Sequence, residues 1–322
     1  MKNLTAVLAL LALSPTSAWA QAFQPSRPVE IVVHNAPGGG SDLLARFISS
    51  LVEREKLLPV RTLVNNRTGG GSAVAMAYMA EKRGDPHTLA LFTTAWLLTP
   101  ILSREVTAGY NDMTPVARLV LESAVIAVKA DSPYRTLQDF IEAARKEPGK
   151  LKQSGGSVQT RGNFFRLTMQ TATGAQWVYI SFPGGGERIA ALLGGHVQLL
   201  VAEPQELGEY IRNGMLRPLA QITDKRLPAF ANVPTLREAG FNMHSDPTIR
   251  GVVAPPGTAR NVVAYWEEVF ARMVKTDAWR KYLEDNQFED GFQRADELQK
   301  SSAEFVGRMR EMLKEAGLKV YR

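Results

Sequence analysis

The feature that most constrains the fold of this chain is a repeated order of segments. A short β-branched run is followed by three glycines and then by an amphipathic stretch, with the glycines at 38–40, 69–71 and 184–186. Glycine allows a tight turn, and the helix start after it presents unpaired backbone N–H groups and the positive end of the helix dipole. The order therefore predicts an α/β fold with anion-binding turns at the ends of strands.

Each loop taken alone is equally consistent with a plain tight turn between a strand and a helix. Three similar loops, spread over both predicted domains, favour a shared ligand instead. In the first loop, Ser41 or Asp42 is expected to cap the helix that starts near residue 42. The amides of residues 38–41 are then left available to the ligand.

Seven β-branched runs predict strands, and the amphipathic stretches between them predict helices. This βα alternation predicts parallel-rich sheets. Two long segments near the end of the chain, at 258–277 and 295–317, predict further helices. The predicted strands lie at 29–33, 60–64, 88–92, 123–129, 177–181, 197–202 and 216–222.

Two proline-containing extended segments, at 109–123 and 245–260, predict crossings between two domains. Residues 21–123 and 247–322 then form one domain, and residues 124–246 form a second domain inserted into it. A ligand is expected in the cleft between two such α/β domains.

The first twenty residues have the layout of a cleavable signal peptide, with Lys2, an apolar run and a small-residue ending at Ala20. No later segment has the roughly 18 uninterrupted apolar residues of a spanning helix. The chain has no cysteine, which excludes disulfides, thiol catalysis and cysteine-ligated zinc. We expect a periplasmic protein.

The charge balance is mildly basic, with 38 Lys and Arg against 32 Asp and Glu. This excess suits small anionic ligands. The basic residues are scattered and form no dense stripe, so nucleic acid is not expected as a partner. The four histidines are far apart and lack carboxylates at metal-ligand spacing, and we expect neither a metal site nor a cofactor.

Nucleotide and hydrolase motifs are absent from the glycine loops. None of the three continues to Gly-Lys-Ser/Thr, and the third position of a dinucleotide fingerprint holds Leu43, Val74 and Ile189. Ser41 and Ser72 have no Gly-x-Ser-x-Gly elbow around them, which argues against a serine hydrolase.

The end of the third predicted strand carries further candidates. Thr93 and Thr94 offer hydroxyl groups to a ligand, and Trp96 either stacks on a ligand ring or packs in the core. His34, at the end of the first strand, either faces the cleft or is structural.

With these residues in view, the chain resembles the extracytoplasmic solute receptors of tripartite tricarboxylate transporters, the Bug-type receptors. The resemblance runs from about residue 28 to the C-terminus. It implies a two-lobed α/β periplasmic binding protein (Venus flytrap) fold. The matching blocks are APGGGSDLLAR, VNNRTGGGSAVA, TLQDFIEAARKEPGKLKQSGGS, FPGGGERIAALLGGHVQLL, LRPLAQITDKRLPAFANVPTLREAGF and GVVAPPGTAR.

The resemblance also implies ligand contacts from four loops, the first two in one lobe and the last two in the other. The corresponding residues here are Pro37, Gly38, Gly39, Gly40, Ser41, Thr68, Gly69, Gly70, Gly71, Ser72, Gly155, Gly156, Ser157, Thr160, Pro183, Gly184, Gly185 and Gly186.

Three residues depart from the family pattern. Glu203 stands where an Asp is frequent, Arg161 is added to the loop at 154–160, and Arg250 lies where an aromatic residue precedes a strand. The two arginines are expected either to meet the far carboxylate of a ligand, or to point to solvent or pair with Asp246 or Glu187.

The resemblance implies a receptor that captures a carboxylate-bearing small molecule, a di- or tricarboxylate or an aromatic acid, and hands it to a membrane permease. We expect a monomer. A ligand-dependent periplasmic sensor and, with no motif to support it, a periplasmic enzyme acting on carboxylates are the alternatives.

Overall fold

A computed structural model describes residues 23–156, 158, 160–182, 185–242, 247–315, 317 and 319–321. The predicted signal peptide at 1–20 lies outside these residues. So do Ser157, Pro183 and Gly184 of the predicted ligand loops.

Strands and helices alternate along most of the described chain. The strands are β1 (Val29–Val33), β2 (Thr62–Asn66), β3 (Thr88–Thr93), β4 (Thr114–Glu122), β5 (Ala124–Lys129), β6 (Lys152–Gly155), β7 (Val178–Ser181), β8 (Leu199–Ala202), β9 (Leu216–Ile222), β10 (Thr248–Ala254) and β11 (Glu289–Arg294). The helices are α1 (Gly40–Arg54), α2 (Ala73–Glu81), α3 (Thr94–Leu102), α4 (Leu137–Lys146), α5 (Arg161–Thr173), α6 (Gly185–Leu193), α7 (Pro204–Arg212), α8 (Arg260–Met273), α9 (Asp277–Asn286) and α10 (Ala295–Glu315).

The strands form two sheets. The first has the order β11-β4-β10-β3-β1-β2 and the second β7-β6-β8-β5-β9. We call the first sheet with α1–α3 and α8–α10 the first lobe, and the second sheet with α4–α7 the second lobe. This two-lobed α/β architecture confirms the predicted fold class.

The sheets are mixed, whereas the βα pattern predicted parallel-rich sheets. β1 is parallel to β2 and β3, and β6 is parallel to β7 and β8. β10 is antiparallel to β3 and β4, and β5 is antiparallel to β8 and β9. The reason is the crossing between lobes: β4 ends at Glu122 and β5 begins at Ala124. β5 therefore starts at the edge where β6 and β8 end, and β10 starts at the edge where β3 ends.

Helices cover both faces of each sheet. Ile31 and Val33 of β1 belong to the core under α1 and α8, whereas Val32 belongs to the core under α2, α3 and α10. In the second lobe, α4 and α5 cover one face and α6 and α7 cover the other. β3 is buried along its whole length because it lies between two such layers.

Sequence patterns located most elements well. The strand predicted at 216–222 is observed with the same ends, and the two long C-terminal segments are helical as predicted. β6 and β11 were missed, because Lys-Gln-Ser-Gly and Glu-Asp-Gly-Phe-Gln-Arg contain no β-branched residue.

Candidate ligand-binding site

The loops predicted to bind ligand lie at facing edges of the two sheets. Val33 and Asn66 pair at the ends of β1 and β2, and Arg250 pairs with Thr93 at the end of β3. In the second sheet, Val125 pairs with Ala202 at the end of β8. Because only Ser123 separates β4 from β5, the carboxyl ends of the parallel strands in both lobes meet at this crossing.

The first glycine loop opens helix α1 without a side-chain cap. The helix begins at Gly40, and Gly39 is its N-cap. The prediction that Ser41 or Asp42 caps this helix is therefore wrong. The Gly38 N–H already donates to the Asp42 carboxylate (2.9 Å) and the Gly39 N–H to a backbone carbonyl. The amides left without an intrahelical acceptor are those of the first three helical residues, 40–42.

Asp42 fixes the shape of this loop. Its carboxylate accepts from Arg46 Nε (2.9 Å) and from Asn66 Nδ2 (3.0 Å), in addition to Gly38. The hydrogen bond from Arg46 and those from Gly38 and Asn66 outweigh burial and lower the pKa of Asp42 to about 2. The carboxylate therefore stays ionised and ties the first loop to the end of β2.

The second glycine loop is exposed and holds an unusual backbone. Gly69, Gly70 and Gly71 have φ of 129°, 58° and 60°, and Ser72, which is not glycine, has φ of 89°. The buried Ser72 hydroxyl has no hydrogen-bond partner among the described residues. Left-handed backbone at a residue with a side chain is typical of functional sites. Thr68 is exposed at the start of this loop.

The side chains at the end of β3 and the start of α3 form hydrogen bonds within the protein. Thr93 Oγ1 caps α3 by accepting from an amide, and Thr94 Oγ1 accepts from Ile249 N (2.9 Å). Trp96 is fully buried and donates its indole N–H to His34 Nδ1 (3.1 Å). Burial, with the nearby charge of Arg250, lowers the pKa of His34 to about 4, so this imidazole is neutral at pH 7. Packing in the core is thus the arrangement observed for Trp96.

Arg250 is the central charged group of the first lobe's edge. Its Nη2 lies 2.7 and 3.0 Å from the two Glu122 oxygens, its Nε lies 3.0 Å from Glu122 Oε2, and its Nη1 donates to Ser41 Oγ (3.0 Å). Glu122 is fully buried. A Cβ on Gly40 would lie only 2.9 Å from Arg250 Nη2. The guanidinium therefore packs directly against the N-terminus of α1.

Arg161 connects the second lobe to the same crossing. It donates to the backbone carbonyls of Glu122 and Ser123, and its Nη2 lies 3.4 Å from Glu203 Oε1. Gln205 also reaches Glu122 (3.1 Å). The two arginines singled out by sequence thus pair with Glu122 and Glu203. Pairing had been predicted with Glu187 or with Asp246, which lies outside the described residues.

The loop after β6 is shaped by Tyr179. The hydroxyl groups of Tyr179 and Thr160 lie 3.0 Å apart, and Tyr179 also donates to the Gly156 carbonyl (3.2 Å). A Cβ on Gly155 would overlap the Tyr179 hydroxyl. Glycine at residue 155 is therefore required by close packing.

The third glycine loop leads into α6 at Gly185, and its surroundings differ from those of the first. A Cβ on Gly185 would lie 3.2 Å from Glu206 Oε1. Arg188, one turn along α6, places its Nη2 2.9 Å from both Glu206 oxygens. Arg188 Nη2 also lies 3.3 Å from the Cβ position of Gly185, so the described N-terminus of α6 faces the Arg188–Glu206 ion pair of the protein itself.

A cavity of about 530 Å³ lies away from the glycine loops, between α5, α10 and the segment around Thr248. Of the predicted ligand residues that the structure describes, only Thr94 and Arg161 line it. Its walls are mostly apolar, with Phe164, Phe305 and Met309 among them. It suits a carboxylate less well than the glycine loops do, because it lacks their backbone donors.

Metal-binding clusters and membrane-spanning helices are both absent from the described part of the chain. No group of three or more His, Cys, Asp or Glu side chains is arranged to hold a metal ion. No described helix is both long and apolar enough to cross a membrane.

Two α/β lobes joined by crossing strands, with glycine loops at their junction, define the class of two-lobed solute-binding proteins. The sequence model of the family described as "Tripartite tricarboxylate transporter family receptor" matches residues 45–318. The chain belongs to this family, which consists of periplasmic solute-binding receptors and is not an enzyme family.

Individual relatives agree with this assignment. A Cupriavidus necator protein, "UPF0065 protein in gbd 5'region", is 30% identical over 318 residues, 98% of this chain and 94% of that protein. The crystal structure of a TctC solute binding protein from Polaromonas is 25% identical with a TM-score of 0.75, over 90% of this chain and 99% of that chain. The structure of R. palustris Rpa4515 with adipate has the same fold, with a TM-score of 0.83 at 24% identity over 92% of this chain and 99% of that one.

Proposed function

We propose that this chain binds a carboxylate-bearing small molecule between its lobes and delivers it to the membrane permease of a tripartite transporter. The observation that carries the proposal is the N-terminus of α1. The unpaired amides of residues 40–42 and the guanidinium of Arg250 converge there.

A cation beside a helix N-terminus is unfavourable, because the helix dipole is positive at that end. Here the N-terminus of α1 and Arg250 are held together, and Glu122 compensates the charge of Arg250 from its other side. An anion placed at Gly40 would be attracted both by the amides and by the guanidinium. We assign one ligand carboxylate to this position.

The second glycine loop is the natural partner of the first, because β1 and β2 are neighbours in the sheet. The strained backbone at Ser72 and its unpaired buried hydroxyl support a ligand contact there. The loop after β6 and the start of α6 then supply the contacts from the second lobe. Apart from Trp96, which packs in the core, the remaining predicted ligand residues keep that assignment as a proposal.

The same proposal includes the organisation of the chain. Residues 21–123 and 247–322 form one domain and residues 124–246 the other. The receptor acts as a monomer, and a cleaved signal peptide exports it to the periplasm.

A thermal-shift panel of mono-, di- and tricarboxylates tests binding. A ligand at 100 times its dissociation constant stabilises the folded state by about 2.7 kcal/mol. Gly40→Ala places a methyl group against Arg250, and we expect affinity for the best acid to fall at least about tenfold, or about 1.4 kcal/mol.

The matched control is Gly307→Ala, an exposed helical position in α10 where a Cβ meets nothing within 4 Å. It should bind like the wild type. Stabilisation by none of the acids, or equal affinity in the folded Gly40→Ala variant, contradicts the proposal. Consumption of the bound acid, followed by NMR, would favour the enzyme alternative.

A further inference from the structure

The cavity of about 530 Å³ lies between the two lobes. Helix α5 and the end of β9 line it on the side of the second lobe, and helices α3 and α10 line it on the side of the first. Small-molecule pockets in proteins have volumes of about 300–1,000 Å³. The cavity is therefore large enough to be a ligand site in its own right, apart from the glycine loops.

Two helix faces form much of its wall. The residues of α5 that line the cavity recur at helical spacing, and so do those of α10, which places each set on one face of its helix. The two faces therefore look at each other across the cavity. Apolar and hydroxyl side chains dominate them, namely Phe164, Thr168 and Ala172 of α5 and Phe305, Met309 and Met312 of α10.

The same two helices also make direct contacts between the lobes. Thr168 Oγ1 lies 2.7 Å from Met312 Sδ, and Phe164, although it belongs to the second lobe, is buried in the first-lobe core that includes Phe305. Packed protein interiors leave few gaps larger than a water molecule. The cavity is thus a gap within a packed interface of the two lobes and not a dent in the surface of one.

The buried part of the wall is apolar. Leu98, Phe164, Ile222, Phe305 and Met309 line the cavity, and each is 7% exposed or less. Water finds few hydrogen-bond partners at such a wall, and apolar cavities of about 150 Å³ are known to bind benzene. An apolar molecule would supply the dispersion contacts that these side chains lack on the cavity side.

The charges in the described wall do not select an ion, because the two arginines and two glutamates that line it cancel. Arg161 is also engaged within the protein, since it donates to the backbone carbonyls of Glu122 and Ser123. An ionised ligand would lose hydration against a wall of zero net charge. The wall therefore favours a neutral occupant. Its charged residues are Arg161, Arg308, Glu311 and Glu315.

The volume of the cavity favours a small molecule over a segment of a partner protein. A helix with its side chains is about 10–12 Å wide and rises 1.5 Å per residue, so the cavity corresponds to about four helical residues. A helix that short is not stable by itself. By comparison with benzene in about 150 Å³, two fused rings fit in the cavity.

We propose that the cavity between α5 and α10 is a second ligand site, which binds a neutral and mainly apolar small molecule such as an aromatic ring system. The proposal goes beyond the receptor function, which assigns the carboxylate to α1. The occupant contacts Phe164 from the second lobe and Phe305 from the first, and so it strengthens the contact between the lobes. Thr94 Oγ1 accepts from Ile249 N (2.9 Å) and can donate its own proton to one acceptor on the occupant.

The test is titration calorimetry of the full mature chain at pH 7, without any carboxylic acid, using three probes that share two fused rings. The probes are 2-naphthol, which is neutral, naphthalene-2-sulfonate and (2-naphthyl)methylammonium. We expect 2-naphthol to bind at one site with a dissociation constant of about 100 μM or lower. It should bind at least about fivefold more tightly than either ion, because neither charge finds compensation in the wall.

Two variants change the cavity. Ala172→Phe adds a ring at an exposed position of the wall and should weaken 2-naphthol at least about tenfold. Met312→Gln keeps the length of the side chain but makes the wall more polar, and it should weaken the probe at least about threefold. The matched control is Ala303→Phe, the same change at an exposed position of α10 that is not among the lining residues. It should bind like the wild type.

Circular dichroism confirms that the variants are folded. A loss of affinity for 2-naphthol in either cavity variant, with none in Ala303→Phe, supports the site. Binding of none of the three probes, or equal affinity in the wild type and both folded cavity variants, overturns it. A preference for either ion over 2-naphthol overturns the neutral class of ligand. Carboxylate binding at α1 is tested separately by the panel of acids.

Discussion

The N-termini of α1 and α6 follow almost the same residues, Ala-Pro-Gly-Gly-Gly at 36–40 and Phe-Pro-Gly-Gly-Gly at 182–186. Their surroundings differ. The guanidinium of Arg250 lies 2.9 Å from the Cβ position of Gly40, whereas Glu206 Oε1 (3.2 Å) and Arg188 Nη2 (3.3 Å) lie about equally close to that of Gly185. Glycine makes an approach possible in both loops, but the neighbouring charge decides whether an anion gains by approaching.

The two charged neighbours also differ in how completely they are buried. Arg250 and Glu122 keep 10% and 1% of their side-chain surface, whereas Arg188 and Glu206 keep 14% and 31%. When one partner of a fully buried ion pair is removed, water cannot solvate the charge of the other. When one partner at α6 is removed, the other can be solvated or can change its protonation state, so the loss of stability should be smaller.

The largest effect is expected from Arg250→Met. This change leaves the buried Glu122 carboxylate without its main partner, and the free energy of unfolding should fall by about 3–5 kcal/mol. Urea denaturation measures the loss. The double variant Arg250→Met with Glu122→Gln should recover much of it, since no charge is then left unpaired. A single variant as stable as the wild type would show that Glu122 is not held by Arg250.

Features that depend on neighbouring residues could be predicted from the sequence, whereas contacts between residues far apart along the chain could not. The glycine loops and most strands follow from local patterns. The partners of the loops do not, because Arg250 is 209 residues from Ser41 and 128 from Glu122. Glu206, a single acidic residue early in a helix, looks like an ordinary dipole-stabilising residue of α7. Only the packing of α7 against α6 gives it a role at the site.

The second expected effect is a pH dependence from Glu206. Its pKa is raised from 4.5 to about 7 by burial and by Glu203, with Glu122 adding to and Arg188 opposing the shift. Between about pH 4.5 and 7 the folded chain therefore binds more protons at this group than the unfolded chain, and its contribution to stability falls as the pH rises. The total change across this window should be about 1–3 kcal/mol.

His34 acts in the opposite direction, because its pKa is lowered to about 4 in the folded chain. The contribution of Glu206 is isolated by subtraction. Unfolding free energies of the wild type and of Glu206→Gln are measured from pH 4.5 to 8, and the variant should gain stability relative to the wild type as the pH rises. A constant difference across the series would contradict a raised pKa at Glu206.

The smallest effect is expected from Arg188→Met, which removes the cation at α6 as Arg250→Met removes the one at α1. Glu206 then loses its partner but is partly exposed and already titrates near neutral pH. It can take up a proton instead of remaining as an unpaired charge, so the unfolding free energy should fall by only about 1–2 kcal/mol at pH 8 and by less at pH 6. Denaturation at both pH values gives the comparison. A loss of unfolding free energy at pH 6 as large as that at pH 8 would show that Glu206 stays ionised without Arg188. The ion pairs at the two helix ends would then behave alike.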